Sequence, residues 1–127
     1  MTANFLVRAE CFQLLGGFDL VFDRPHFRED TDFGWRLQGL GKVPYGKDVV
    51  VFHPAQSRDD HRESSAERGR FFEKDALLYK KHPDKYRELF FLEKHFQHTP
   101  EFIHNLRNGF QSCGISPPSW MKPHLEA

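Results

Sequence analysis

The sequence predicts a mixed α/β (α+β) fold, with a few strands in its first half and a helical C-terminal third. Three observations carry that expectation. Two short runs, TANFLVR at residues 2–8 and KVPYGKDVVVF at residues 42–52, have the apolar and β-branched content of strands. Between and after them, apolar residues recur at helical spacing. Those helical stretches are bounded by acidic or hydroxyl start residues, glycines and prolines.

The run at 2–8 reads as a buried strand. It opens almost at Met1 with no preceding turn, as in a chain that begins inside a larger fold. Residues 9–15 (AECFQLL) have helical propensity, and Gly16 and Gly17 stop that helix as a C-terminal glycine cap. Residues 18–27 form a loop in which Pro25 interrupts any regular element. Glu29, Asp30 and Asp32 then crowd the start of an apolar-periodic segment. The unpaired N–H groups and the dipole of a helix start favour negative charge, so a helix is predicted from there to about Leu40, ending at Gly41. Within it Arg36 can pair with Glu29 or Asp32, and the four-residue spacing to Asp32 is the natural one.

Residues 42–52 are predicted as one or two strands, divided at Gly46 and ended by His53 and Pro54. Residues 57–70 have almost no apolar content and read as an exposed loop or a frayed helix start. Helical spacing resumes over 71–81, with Phe72, Ala76 and Tyr79 on one stripe and Pro83 closing it. Asp84 caps a further helix predicted over 85–96. Thr99, Pro100 and Glu101 supply a hydroxyl cap, an N1 proline and a first-turn acid for a last helix, which Gly109 ends. The proline-rich tail after Cys113 is irregular. The organisation expected is a mixed front portion (1–56), a polar connection (57–70) and a helical extension (71–127).

A chain of 127 residues is long enough for one modest core. Its 18 basic and 18 acidic residues cancel, which argues against nucleic acid as a partner, because a binder would show a basic excess. Cys11 and Cys113 lie far apart with no metal-ligand spacing, as expected of reduced thiols in a cytoplasmic protein. No apolar run approaches a transmembrane span, and the N-terminus lacks a signal-peptide core. Peripheral membrane contact stays compatible with that. The 14 Phe exceed ordinary need. Phe22, Phe27, Phe96 and Phe110 stand in polar surroundings, so they either pack a Phe-rich core or face a cleft or partner.

Taken in order, Gly16-Gly17-Phe18-Asp19, Glu29-Asp30-Thr31-Asp32, Trp35-Arg36-Leu37 with Gly41, and VVVFH at 49–53 resemble the family 2 glycosyltransferases. Asp75-Ala76-Leu77-Leu78 with Lys81-His82-Pro83 is similar to the helical extension of some bacterial members. The match spans roughly residues 2–90; the ordered set is fairly specific, whereas any one piece alone is weak. The resemblance implies a GT-A type fold, of which this chain is the C-terminal, acceptor-side half. It implies transfer of a sugar from a nucleotide-sugar donor to a glycan acceptor hydroxyl. In that family a Rossmann-like N-terminal half carries a DxD motif that holds Mn²⁺ or Mg²⁺ against the diphosphate. No DxD lies upstream of Gly16, and Asp30-Thr31-Asp32 belongs to the acidic motif. The isolated chain is therefore expected to be inactive and to hold no metal tightly.

By the same resemblance Asp30 is the catalytic base, with Glu29 orienting or binding the acceptor. Phe18, Asp19, Asp32 and Trp35 are expected around the substrate, and His53 is the metal ligand. Each also has a plainer role: the acids cap a helix, Trp35 packs in the core, and His53 ends a strand. A single imidazole does not hold such hard cations without carboxylate partners. The loop at 57–70 is either a lid over the donor or an exposed connector. The competing expectation is a non-catalytic binding or oligomerisation module derived from the same fold. A lone half-sheet would expose an edge strand and a Phe-rich face, so a homo-oligomer is expected.

Overall fold

Six α-helices and one 3-10 turn make up the regular structure among the described residues. The structure is a computed structural model, and it describes residues 4–24, 26–52, 64–92 and 99–126. The helices are α1 (Ala9–Leu14), α2 (Glu29–Gln38), α3 (Ser65–Lys81), α4 (Pro83–Leu92), α5 (Pro100–Cys113) and α6 (Lys122–Glu126), with the 3-10 turn at Leu20–Phe22 between α1 and α2.

The α/β expectation is not met: no strand occurs among the described residues, and the partial GT-A sheet is absent with it. Residues 4–8 and 42–52 carry strand-type side chains, but β propensity is realised only when a neighbouring strand pairs the backbone and packs the faces. That partner is missing among the described residues. Val50 is 82% exposed and Phe52 87%. One bond joins the two segments in place of a ladder, from Asn4 Nδ2 to the Val49 carbonyl at 2.9 Å.

The helices follow their local signals more closely. Helix α1 ends at a double glycine, with Gly16 and Gly17 both at φ +72°. The Gly17 N–H donates to the Phe12 carbonyl and the Gly16 N–H to that of Gln13, the paired bonds of a Schellman stop. Helix α3 begins at Ser65, upstream of the expected residue 71. Ser64 Oγ accepts from the Glu67 N–H while the Glu67 carboxylate accepts from the Ser64 N–H, a capping box that sets this start. Helix α5 begins as predicted, with Thr99 Oγ1 accepting from the Phe102 N–H. It runs past Gly109 to Cys113 and is stopped by Gly114 at φ +63°.

Gly109 has a different duty: a Cβ there would strike the backbone of Glu73 and stand 3.0 Å from Ala76 Cβ, so its bareness lets α5 lie against α3. Around that crossing the core gathers Ala76, Leu78, Tyr86, Phe90, Phe102, Leu106, Phe110, Met121 and Leu125, together with Phe22 from the 3-10 turn. Phe22 and Phe110 are thus core residues, and Phe27 stacks on Phe71 at 5.6 Å. Phe96 lies outside the described residues. A second aromatic cluster surrounds the fully buried Phe33, with Phe5, Phe12 and Phe18 at 5.9, 5.3 and 5.1 Å between ring centroids.

Candidate functional site

The double-glycine turn, the acidic start of α2 and the C-terminal end of α3 meet at Asp32. This carboxylate is fully buried. Its Oδ2 accepts from Arg36 Nε at 2.9 Å, while Oδ1 meets Lys81 Nζ at 2.7 Å and His82 Nε2 at 2.8 Å. Burial alone would raise its pKa. The hydrogen bonds from Lys81 and His82, with the charges of Lys81 and Arg36, outweigh burial and hold it below the usual carboxylate range.

The same cations tie down the neighbouring turn. Arg36 donates from Nη1 to the Leu15 carbonyl at 2.9 Å and from Nη2 to the Gly17 carbonyl at 2.8 Å. Lys81 also binds Asp19 Oδ2 at 2.6 Å. Asp19 caps the 3-10 turn by accepting from the Val21 N–H at 3.0 Å. The Lys81 hydrogen bond and that N–H lower its pKa. The expected four-residue pair between Arg36 and Asp32 is present.

A second charged contact lies just before α2. Arg28 donates from Nε to Asp75 Oδ1 at 2.7 Å and from Nη2 to Oδ2 at 3.1 Å, with Tyr86 Oη donating to Oδ2 at 2.9 Å. Both partners are buried. A buried bidentate pair of this kind is strongly destabilising to break, by about 3–5 kcal/mol, because one charge is then left uncompensated. Arg28 sits at φ +70°, a left-handed conformation costing a non-glycine residue about 1–3 kcal/mol, so the surrounding contacts must impose it. The bend there turns the chain directly into Glu29.

Glu29 and Asp30 therefore stand between two anchored residues, 28 and 32. Both are half-buried. Asp30 Oδ1 accepts from the Thr31 N–H at 2.7 Å. The α2 N-cap is Arg28, and its side chain makes no cap bond, so the three acids of the first turn supply the negative charge favoured at this helix start. Trp35 lies one turn on, half-buried against the core, with its ring edge-on to His82 at 5.3 Å. Phe18 is 46% exposed at the other side of the double-glycine turn and packs on Phe12 and Phe33.

Of the residues expected from sequence, the structure brings Asp19, Asp32 and Trp35 together around Lys81 and His82, with Glu29 and Asp30 on the adjoining turn. His53 lies outside the described residues, as do residues 57–63 of the expected lid. The DxD letters of Asp30-Thr31-Asp32 do not fit a divalent metal, because both Asp32 oxygens are taken by cationic or imidazole donors. The roles of Arg28 and Asp75 are not read from the sequence. A signal existed: Asp75 interrupts the apolar stripe of Phe72, Ala76 and Tyr79, and a carboxylate there demands a buried cation. Comparison with family models, curated proteins and solved structures found no match to this chain.

Proposed function

We infer that the chain is the acceptor-side segment of a family 2 glycosyltransferase, working on a nucleotide-sugar donor and a glycan acceptor only when a donor-binding half supplies the diphosphate site. The observation that supports this most is the convergence of three separate motifs: Gly16-Gly17-Phe18-Asp19, Glu29-Asp30-Thr31-Asp32 and Lys81-His82 all meet around one carboxylate. In this reading Asp30 takes the proton of the acceptor hydroxyl as its oxygen attacks the sugar carbon and the nucleotide diphosphate departs. Glu29 binds or orients the same acceptor. Asp32 stays an ion-pair centre, since a carboxylate already holding Lys81 and His82 is poorly placed to accept a proton. Mn²⁺ or Mg²⁺ belongs with the donor-binding half and enters no step here.

Calorimetry separates the two substrates. The chain alone is expected to ignore UDP- and GDP-sugars with Mn²⁺, and to bind methyl glycosides of acceptor sugars at millimolar strength, about 4 kcal/mol. Micromolar donor binding, or no glycoside binding across the common hexoses, would overturn the reading.

One observation favours a second, assembly role. Tyr45, Val50 and Phe52 are 89%, 82% and 87% exposed along residues 42–52, a run whose backbone lacks a ladder partner among the described residues. Such a run favours association with a second copy.

A further inference from the structure

Helix α3 and its C-cap repeat a polar doublet after seven residues, Lys74-Asp75 in the helix and Lys81-His82 at its end. Seven residues are nearly two helical turns, so Lys81 lies on the same side of α3 as Lys74, and His82 follows directly at the C-cap. The contacts run to two neighbouring segments. The lysines hold the loop before α2: Lys74 Nζ donates to the Val21 and Asp23 carbonyls at 2.6 and 3.0 Å, and Lys81 reaches Asp19. The start of α2 is held by Asp75 through its N-cap residue Arg28, and by His82 and Lys81 through Asp32. Residues 28 and 32 are one turn apart, and the three residues between them include Glu29 and Asp30.

We propose that Lys74, Asp75, Lys81 and His82 form a four-point clamp whose role is positional: it fixes the first turn of α2 so that the Asp30 carboxylate keeps one orientation toward an acceptor hydroxyl. This rests on the reading of Asp30 as the base. The physical case is that a base acts only within hydrogen-bond reach, and a misplacement of about 1 Å can cost two orders of magnitude in rate. The first turn of a helix is where orientation is least secure, because its N–H groups lack intrahelical partners. Here no side chain caps α2 at Arg28. Asp30 Oδ1 accepts from the Thr31 N–H and so is tied to that turn, while the clamp holds the turn itself through the side chains of Arg28 and Asp32. The clamp also carries a sequence pattern, Arg-Glu-Asp-Thr-Asp followed by Lys-Asp and, seven residues on, Lys-His.

The test reads Asp30 directly in the full chain, by side-chain scalar couplings that report its χ1 rotamer, with amide exchange at Leu106 and Phe110 reporting the core. Asp75→Asn keeps shape and removes charge. His82→Phe keeps a ring beside Trp35 and removes the nitrogen that meets Asp32. Leu125→Ala loosens the core from α6, which packs on α5 and makes none of the clamp contacts. The wild-type chain and Leu125→Ala should show one dominant Asp30 rotamer. Each clamp variant should reduce it, and the double variant should average over the three staggered wells, while Leu106 and Phe110 exchange faster but stay protected, as in a destabilised chain that is still folded. If the double variant does not fold, the single variants carry the test. One rotamer persisting in both single variants would overturn the clamp, and so would equal averaging in Leu125→Ala. No sugar enters the measurement, so failure of the clamp is distinct from failure of the glycoside titration above.

Discussion

Asp32 gathers Arg36, Lys81 and His82 on one fully buried carboxylate, and that arrangement fixes how the protein responds to acid. Its folded pKa lies below the ordinary value, so its contribution to stability is complete above the unfolded pKa near 3.8 and is lost as pH falls through the folded one. Asp19 is lowered as well and acts in the same window, and Glu67, lowered from 4.5 by its hydrogen bonds with Ser64, acts from a slightly higher pH. Urea melts from pH 6 down to about pH 2, with an unperturbed Asp at about 3.9, should show a falling midpoint below about pH 4. Asp32→Asn should flatten that fall and cost about 3 kcal/mol at neutral pH, since it strips a buried ion-pair centre of its charge. An unchanged acid limb in the variant would mean that Asp32 is not ionised in the fold. That role was half legible in the sequence: the Asp32–Arg36 spacing predicts the pair, whereas Lys81 and His82 lie about fifty residues away and are joined to it only by the tertiary fold.

At the scale of elements, the crossing of α3 and α5 is set by what is absent at Gly109. Alanine would gain about 1 kcal/mol in helix propensity, but its Cβ would strike the Glu73 backbone, which cannot swing aside as a side chain can. Overpacking of that kind costs about 1–3 kcal/mol. Gly109→Ala should therefore lower the thermal midpoint, and a rise would place the two helices further apart than described here. Sequence reading takes Gly109 for a helix end because a glycine in an exposed helix is a stop signal; only a neighbour across the interface reveals a packing glycine. The local signals at Gly16-Gly17 and Thr99-Pro100 translate directly, because caps are satisfied within a few residues of chain. The capping box at Ser64 and Glu67 was open to the same reading but is hidden in a run that is polar throughout. The strands fail for the opposite reason. A run such as VVVF carries β propensity, yet a strand exists only with its partner, and none lies among the described residues.

Over the whole molecule, two aromatic clusters flank the acidic start of α2, one around Phe33 and one at the α3–α5 crossing. Residues 42–52 lie outside both and are exposed throughout. Sedimentation velocity should show concentration-dependent self-association, and Val50→Lys with Phe52→Lys should abolish it by charging the exposed run. A wild-type monomer at all concentrations would remove the assembly role. Among the described residues no helix is long and apolar enough to cross a membrane.

The claim on which the rest turns is that an acceptor hydroxyl meets the Asp30 carboxylate. Carboxyl-carbon spectra of the labelled chain during titration with a methyl glycoside read that contact at the atom concerned. Saturable shifts of the Asp30 and Glu29 carboxyl carbons are expected, with Asp32 nearly still, together with their loss for deoxy glycosides lacking the accepting hydroxyl. Saturable shifts confined to other residues, with Asp30 unmoved, would contradict the claim.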